Sequence, residues 1–134
     1  MGTEDSSMRA DVELRLPAEG AYVSVLRTTT AGLAARLDFT LDDIEDLRMA
    51  VGEAAAIALE HVREPAALVT RFWLGERRVQ VQVETVVDDP TPIDEDSFAW
   101  QVLTTLADSA SATLSGDRLE IVLVAQATPL EAAL

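Results

Sequence analysis

The apolar stripe between Thr40 and Pro65 constrains the fold most, because it predicts one long helix that the rest of the chain must cover. Thr40 is a helix-capping residue type, and Asp43 occupies the acidic third position of a capping box. Pro65 ends the pattern. Apolar residues recur at helical spacing along one side: Ile44, Leu47, Val51, Ala55, Ala58 and Val62. At about 100° per residue they lie within roughly a quarter-turn, so this side is predicted to face a sheet.

Glu53 and Ile57 lie on the opposite side of this helix, about one turn apart. Ala50 and Ala54 make part of that second side apolar, so we expect a helix, a ligand or a partner to cover it. On the helix pattern alone, Glu53 is interpreted as a solvated surface carboxylate. His61 is interpreted as an exposed or capping histidine near the helix end, since a lone histidine without cysteine is poor evidence for a metal site.

The rest of the chain predicts strands and two further helices. Alternating residues predict strands at about 12–16, 67–74, 77–87, 111–115 and 118–126, and helical spacing predicts helices at about 20–37 and 97–108. In the third strand, valines 79, 81 and 83 alternate with polar residues, which predicts one buried face and one solvent-exposed face of the sheet. The predicted fold class is α+β: a two-layer sandwich with a mixed or antiparallel sheet and helices on one face.

Length and charge limit the function. The 134 residues suggest one domain at 11–126, with a flexible start at 1–10 and a loose tail at 127–134. A net charge of −14 disfavours direct binding to nucleic acid or to anionic membranes, because both carry negative charge. The charge favours a basic protein partner, or else serves only solubility; composition does not choose between the two. No signal peptide or membrane-spanning run is evident, so a cytoplasmic protein is expected.

Residues 17–62, which include the run DDIEDLRMAVGEA, resemble the first half of anti-sigma factors of the stress- and sporulation-sigma type. These are serine-protein kinases with the histidine-kinase-like (GHKL, Bergerat) ATPase fold. The resemblance extends over roughly residues 11–126. It implies a kinase that transfers phosphate from Mg-ATP to a serine of a partner protein.

The family's catalytic residues carry over only in part. Glu53 matches the glutamate that acts as general base toward the partner's serine. Four residues later the family has an asparagine that holds Mg²⁺, and this chain has Ile57, which offers no oxygen to a hard cation. The resemblance therefore implies that the magnesium ligand is missing.

The two glycine boxes of the family are also degraded. Without gaps, the adenine-reading aspartate falls on Thr85 and the first glycine on Val87. Asp88 and Asp89 could substitute for the aspartate if the register slips. The phosphate-binding glycines fall on Ser97 and Ala99. The interval that holds the lid is the acidic run DDPTPIDED, which has no lysine or arginine for a triphosphate.

The resemblance implies an anti-sigma factor that sequesters an alternative sigma factor, and these losses imply that nucleotide binding and kinase activity are lost or strongly weakened. No cofactor is expected, except Mg-ATP if the family activity is retained. The resemblance implies a homodimer and a competing anti-anti-sigma partner of the STAS type. The predicted contact residues lie on the first helix and at the start of the second: Arg27, Arg36, Asp42, Asp43, Glu45 and Asp46.

Two alternatives remain open at this stage. One is a working serine-protein kinase, with Glu53 as its base. The other is a scaffold that uses the vacant nucleotide site as a groove, although Phe98 and Trp100 suggest that the site is filled from inside. Phe72 and Trp73 are expected on opposite faces of a strand, and an exposed Trp73 would favour a dimer or partner surface.

Overall fold

The computed structural model describes residues 9–129, and these form a single sheet covered by helices on one face. The strands are β1 (Val12–Pro17), β2 (Ala67–Gly75), β3 (Arg78–Val86), β4 (Ser109–Ser115) and β5 (Arg118–Gln126). The helices are α1 (Val23–Arg36), α2 (Leu41–Glu60) and α3 (Phe98–Leu106), and a 3₁₀ turn, Gly20–Tyr22, precedes α1. The predicted α+β fold is confirmed.

The sheet has the order β1-β2-β3-β5-β4, and every pairing is antiparallel. Of the two arrangements that the sequence left open, the antiparallel one is therefore correct. Hairpins join β2 to β3 and β4 to β5, and Gly116 supplies the positive φ of 63° in the second turn. β3 lies at the centre of the sheet, whereas β1 and β4 are its edges.

The cap of α2 is formed as predicted: the Thr40 Oγ1 accepts the N–H of Asp43 at 3.1 Å. Helix α2 packs against α1, α3 and the sheet. As a result, Ala50, Ala54 and Ile57 are buried, with exposed fractions of 0%, 0% and 4%. The second side of α2 is thus covered partly by the chain itself.

The core lies between the sheet and the helices. Valines 79, 81 and 83 of β3 are fully buried there, as predicted, together with Phe72 of β2. The other face of β3 is more buried than predicted, because Gln80 and Gln82 are only 7% and 8% exposed. Strands on both sides of β3 shield them. Trp73 lies outside the core cluster that contains Phe72, and it is itself 9% exposed.

The segment after β5 is held against the domain at its start. The Thr128 N–H and hydroxyl both donate to the Asp43 carboxylate, at 2.7 and 2.9 Å. The Arg77 guanidinium donates to the carbonyls of Asp38 and Thr128. The predicted loose tail at 127–134 thus begins with two ordered residues, since Ala127 is also buried. Residues 1–8 and 130–134 lie outside the described residues, so the flexible ends stay a prediction there.

Candidate nucleotide site and acidic surface

The C-terminal end of α2 is joined by backbone hydrogen bonds to the end of β3. Val62 and Val87 form an antiparallel bridge. The Arg63 N–H donates to Val86 O at 2.8 Å, and the Asp88 N–H donates to His61 O at 3.3 Å. The Val87 N–H donates to Asp117 O in the β4–β5 turn, at 2.7 Å. The backbone N–H of Val87, at the position of the first glycine, is therefore already hydrogen-bonded within the chain.

Three residues at the degraded motif positions belong to one hydrophobic core. Ile57, at the metal-ligand position, is 4% exposed, and Val87, at the first glycine, is 1% exposed. Trp100, the last residue of the second glycine box, is also 4% exposed and joins the same cluster. Apolar side chains therefore fill the places where the resemblance puts a metal ligand and a close approach to a base.

Thr85 takes the position of the adenine-reading aspartate. It is 2% exposed, and its hydroxyl donates to the Ala67 carbonyl of β2 at 2.9 Å. This hydrogen bond joins β3 to β2. A threonine hydroxyl that is already satisfied in this way offers no carboxylate to the amino group of a base.

The side chain of Ser97 caps the start of α3. The Ser97 Oγ accepts the Trp100 N–H at 3.2 Å, so one of the free amides that would face phosphate is already satisfied. Ala99 packs against the core. The expectation that Phe98 also fills the site is wrong, because Phe98 is 83% exposed. Helical geometry places it about 200° from Trp100, which faces inward.

The acidic interval before α3 forms a short loop that encloses little space. A cavity of about 70 Å³ lies between this loop and the second hairpin, and Pro92, Ile93 and Leu114 are among the residues that line it. Pockets for small ligands typically measure roughly 300–1,000 Å³. A nucleotide is far larger than the space that this cavity provides.

Glu53 is half-buried and lies on an exposed stripe of α2. Among residues 9–129 it has no hydrogen-bond or ion-pair partner. At about 100° per residue, six positions of α2 fall within an arc of roughly 80°. They are Asp42, Asp46, Met49, Glu53, Ala56 and Glu60, and all except Glu53 are exposed. We call this set the acidic stripe.

The other predicted contact residues differ in availability. Arg36 is exposed at the end of α1, and Glu45 is exposed but paired with Arg48 at 2.6 Å. Asp43 is occupied by Thr128, as described above. Burial raises the pKa of Asp43, but hydrogen bonds from Thr128 and Thr40 outweigh burial and hold its pKa below the usual range.

Arg27 crosses from α1 onto the backbone of α2. A Cβ atom added at Gly52 would lie 2.5 Å from the Arg27 Nε and 2.9 Å from its Nη2. Glycine at position 52 therefore provides the space that the guanidinium occupies. Within the described chain Arg27 makes no ion pair, and it is half-buried beside the acidic stripe.

Sequence patterns missed a row of ion pairs across the open face of the sheet. Arg71 pairs with Glu13 at 2.9 Å and with Glu84 at 2.8 Å, and Arg118 reaches Glu84 at 3.5 Å. Burial lowers the pKa of Arg71, but these two carboxylates outweigh burial and raise it. The sequence shows the alternation of charge along each strand. It does not show the strand order that brings these charges next to one another.

Within residues 9–129, no group of three or more histidine, cysteine, aspartate or glutamate residues is arranged to hold a metal ion. No helix in this range has the length and apolar character needed to cross a membrane.

Comparison with known proteins supports the resemblance inferred from the sequence. The chain is 40% identical over 75 residues to the serine-protein kinase RsbW of Bacillus velezensis. The matched segment covers 54% of this chain and 47% of that protein. It is 35% identical over 74 residues to the serine-protein kinase RsbW of Bacillus thuringiensis, covering 54% and 46%. No protein-family profile matches the chain.

A solved structure shares the fold. The RsbU and RsbW domains of Rv1364c from Mycobacterium tuberculosis superpose with a TM-score of 0.64 at 17% identity, covering 88% of this chain and 33% of that one. The similarity to RsbW proteins is thus confirmed in sequence and in fold. The chain spans about half the length of the curated relatives that it matches.

Proposed function

We propose that this chain, a relative of RsbW serine-protein kinases, is an anti-sigma regulatory factor that acts by binding and needs no nucleotide. In this proposal it sequesters an alternative sigma factor and exchanges it for an anti-anti-sigma protein of the STAS type. It acts as a homodimer. Exchange depends on competition between partners, or on phosphorylation of a partner by another enzyme.

The observation that carries the proposal is the filled nucleotide site. Ile57, Val87 and Trp100 are buried in one core, and the α2 end is bonded to the β3 end. Phosphoryl transfer depends on a positioned phosphate and on metal electrostatics. Glu53 alone supplies neither, so a kinase is the weaker interpretation. A groove in the vacated site is also a weaker interpretation, because these apolar side chains fill it.

The acidic stripe supports a basic partner. Its carboxylates flank Met49, which is 52% exposed and can contact an apolar side chain. Arg27 of the neighbouring helix lies against Gly52 of α2, and Arg36 is exposed at the end of that helix. Surfaces of a sigma factor that bind DNA are basic, so long-range attraction to the stripe would speed association.

The proposal is tested with each alternative sigma factor of the source cell, co-expressed with this protein and a reporter from the matching promoter. We expect at least one reporter to be repressed. Repression should persist in Glu53→Gln, which removes the candidate base but keeps the side-chain shape. It should be weakened in Asp42→Asn/Asp46→Asn, which removes two negative charges from the stripe and changes the net charge by +2.

A matched control is Ser24→Arg/Thr28→Arg, which adds two cations on exposed positions of α1. We expect less loss of repression from this control than from the stripe variant. Absence of repression at every promoter would reject the anti-sigma role. Repression that requires ATP and is lost with Glu53→Gln would instead establish the kinase.

A further inference from the structure

The face of the sheet that the helices leave open is a cationic surface on an acidic protein. Two shallow depressions in this open face, of about 640 and 270 Å³, share Glu84 and extend across β1, β2, β3 and β5. Five of the chain's ten basic residues line them, against three of its 24 acidic residues, so positive charge is locally in excess. The five are Arg9, Arg15, Arg63, Arg71 and Arg118.

Apolar side chains form the floor beneath these arginines. Val69 and Trp73 lie on β2 at positions that alternate with the core residue Phe72, so they point to the open face. They are only 6% and 9% exposed, although the helices of the described chain pack on the other face. Arginine and tryptophan are enriched where proteins contact one another, so this composition is typical of a protein interface.

The arginines of the open face differ in how far they are already engaged. Arg71 is held by two carboxylates at 2.9 and 2.8 Å, and Arg63 is paired with Asp117 at 3.0 Å. Arg15 is exposed and makes no ion pair with any described residue, and Arg118 is exposed and reaches a carboxylate only at 3.5 Å. Arg15 and Arg118 therefore have donors left for the carboxylates of another molecule.

We propose that the open face binds an acidic segment of a partner protein. Its carboxylates pair with Arg15 and Arg118, and its apolar side chains lie over Val69 and Trp73. Three strand spacings separate β1 from β5, which is roughly 14 Å across the sheet. About four residues of an extended segment span that distance, so two carboxylates of one short segment can reach both arginines.

Charge favours a short acidic segment over a nucleic acid. At about 0.1 M salt, charges more than about 10 Å apart are largely screened, so a segment on this face responds mainly to the nearby arginines. A nucleic acid extends its phosphate charge beyond the face and meets the rest of a chain of net charge −14. The acidic stripe belongs to the helical layer, so a basic partner and an acidic partner can occupy the molecule together.

The test uses the purified full-length protein without a sigma factor, so its failure leaves the reporter result unaffected. Selection from a phage-displayed library of short random peptides should enrich peptides that carry several carboxylates. Fluorescence anisotropy of an enriched peptide should give a micromolar Kd at about 0.15 M salt. A labelled oligothymidylate of the same length should bind far more weakly.

Substitutions on the two layers locate the bound peptide. Arg15→Gln and Arg118→Gln should each weaken binding by about three- to fivefold, as expected for the loss of one exposed ion pair. Arg48→Gln removes the same charge from α2 and should have less effect. Glu120→Gln removes a carboxylate of the face that has no ion pair in the described chain, so it should tighten binding more than Glu95→Gln in the loop before α3. Thermal melting checks that each variant is folded.

Four results would reject an acidic partner at this face. The first is no enrichment of acidic peptides, or equal weakening by Arg15→Gln and Arg48→Gln. Equal affinity for the oligothymidylate would assign the face to nucleic acid. Peptide binding that appears only in Glu4→Gln/Asp5→Asn would assign it to residues 1–8 of the same chain, and binding that weakens as protein concentration rises would assign it to a second copy.

Discussion

At the scale of single residues, Ile57 adds to the core at the position where the family resemblance puts a magnesium ligand. It is 4% exposed and belongs to the same cluster as Val87 and Trp100. A side chain in this position that could hold Mg²⁺ would have to be polar, and the surroundings offer apolar contacts. Ile57 therefore contributes to helix packing, and its side chain offers no oxygen to a metal ion.

Replacing Ile57 with asparagine should not restore nucleotide binding. We expect Ile57→Asn to lower the free energy of unfolding by about 2–4 kcal/mol, because it buries an amide and removes apolar contacts. Ile57→Val should cost about 1 kcal/mol. Urea denaturation measures both. An asparagine variant that keeps wild-type stability and gains Mg-dependent ATP binding would show that the site is still open.

Thr70 offers a second test at this scale. Its Oγ1 is buried without a hydrogen-bond partner among the described residues, and the residue is 1% exposed. Thr70→Val removes a polar group that gains nothing in the fold, so stability should rise by roughly 1 kcal/mol. Thr85→Val is the matched control, since it breaks the bond to Ala67 O and should lower stability by about 1 kcal/mol. Equal effects of the same sign would contradict this account of Thr70.

At the scale of elements, the start of α2 is fixed by residues from distant parts of the chain. Thr40 caps the helix, and Asp43 of its first turn binds Thr128, which follows β5. Arg77 of the β2–β3 turn holds the same Thr128 from the other side. This junction links α2, the first hairpin and the C-terminal segment at one end of the sheet.

The contribution of Asp43 should depend on pH. Its pKa is lowered in the folded protein from the ordinary 3.8, so its stabilisation is present above that value and is lost as pH falls through the folded pKa. At pH 7, Asp43→Ala should cost about 1–3 kcal/mol, and the difference from wild type should shrink below about pH 4. Asp42→Ala removes a neighbouring exposed carboxylate and should cost little. Urea denaturation at several pH values measures this, and a cost for Asp43→Ala that does not change with pH would contradict the assignment.

Local patterns predicted most elements, and long-range pairing explains what they missed. The caps at Thr40 and Ser97 and the alternating strands follow from residues near in sequence. The bridge between Val62 and Val87 and the ion pairs of Arg71 join residues far apart, which periodicity does not specify. The position of Phe98 was missed because the inward side of a short helix depends on where its neighbours lie.

At the scale of the whole molecule, charge is distributed unevenly. On the described strands, the open face of the sheet carries four arginines against three glutamates: Arg15, Arg71, Arg78 and Arg118 against Glu13, Glu84 and Glu120. The net −14 of the chain therefore resides elsewhere, including the acidic stripe and the loop before α3. A basic partner should approach the helical side.

In our proposal the chain works without nucleotide, and a calorimetric titration with ATP and Mg²⁺ tests this most directly. A ligand that binds only the folded state raises its stability by mass action, so thermal melting of the same sample is an independent readout. We expect no heat of binding and no shift in melting temperature at millimolar Mg-ATP. Saturable binding at micromolar nucleotide, weakened by removal of Mg²⁺, would contradict it and make the kinase the leading interpretation.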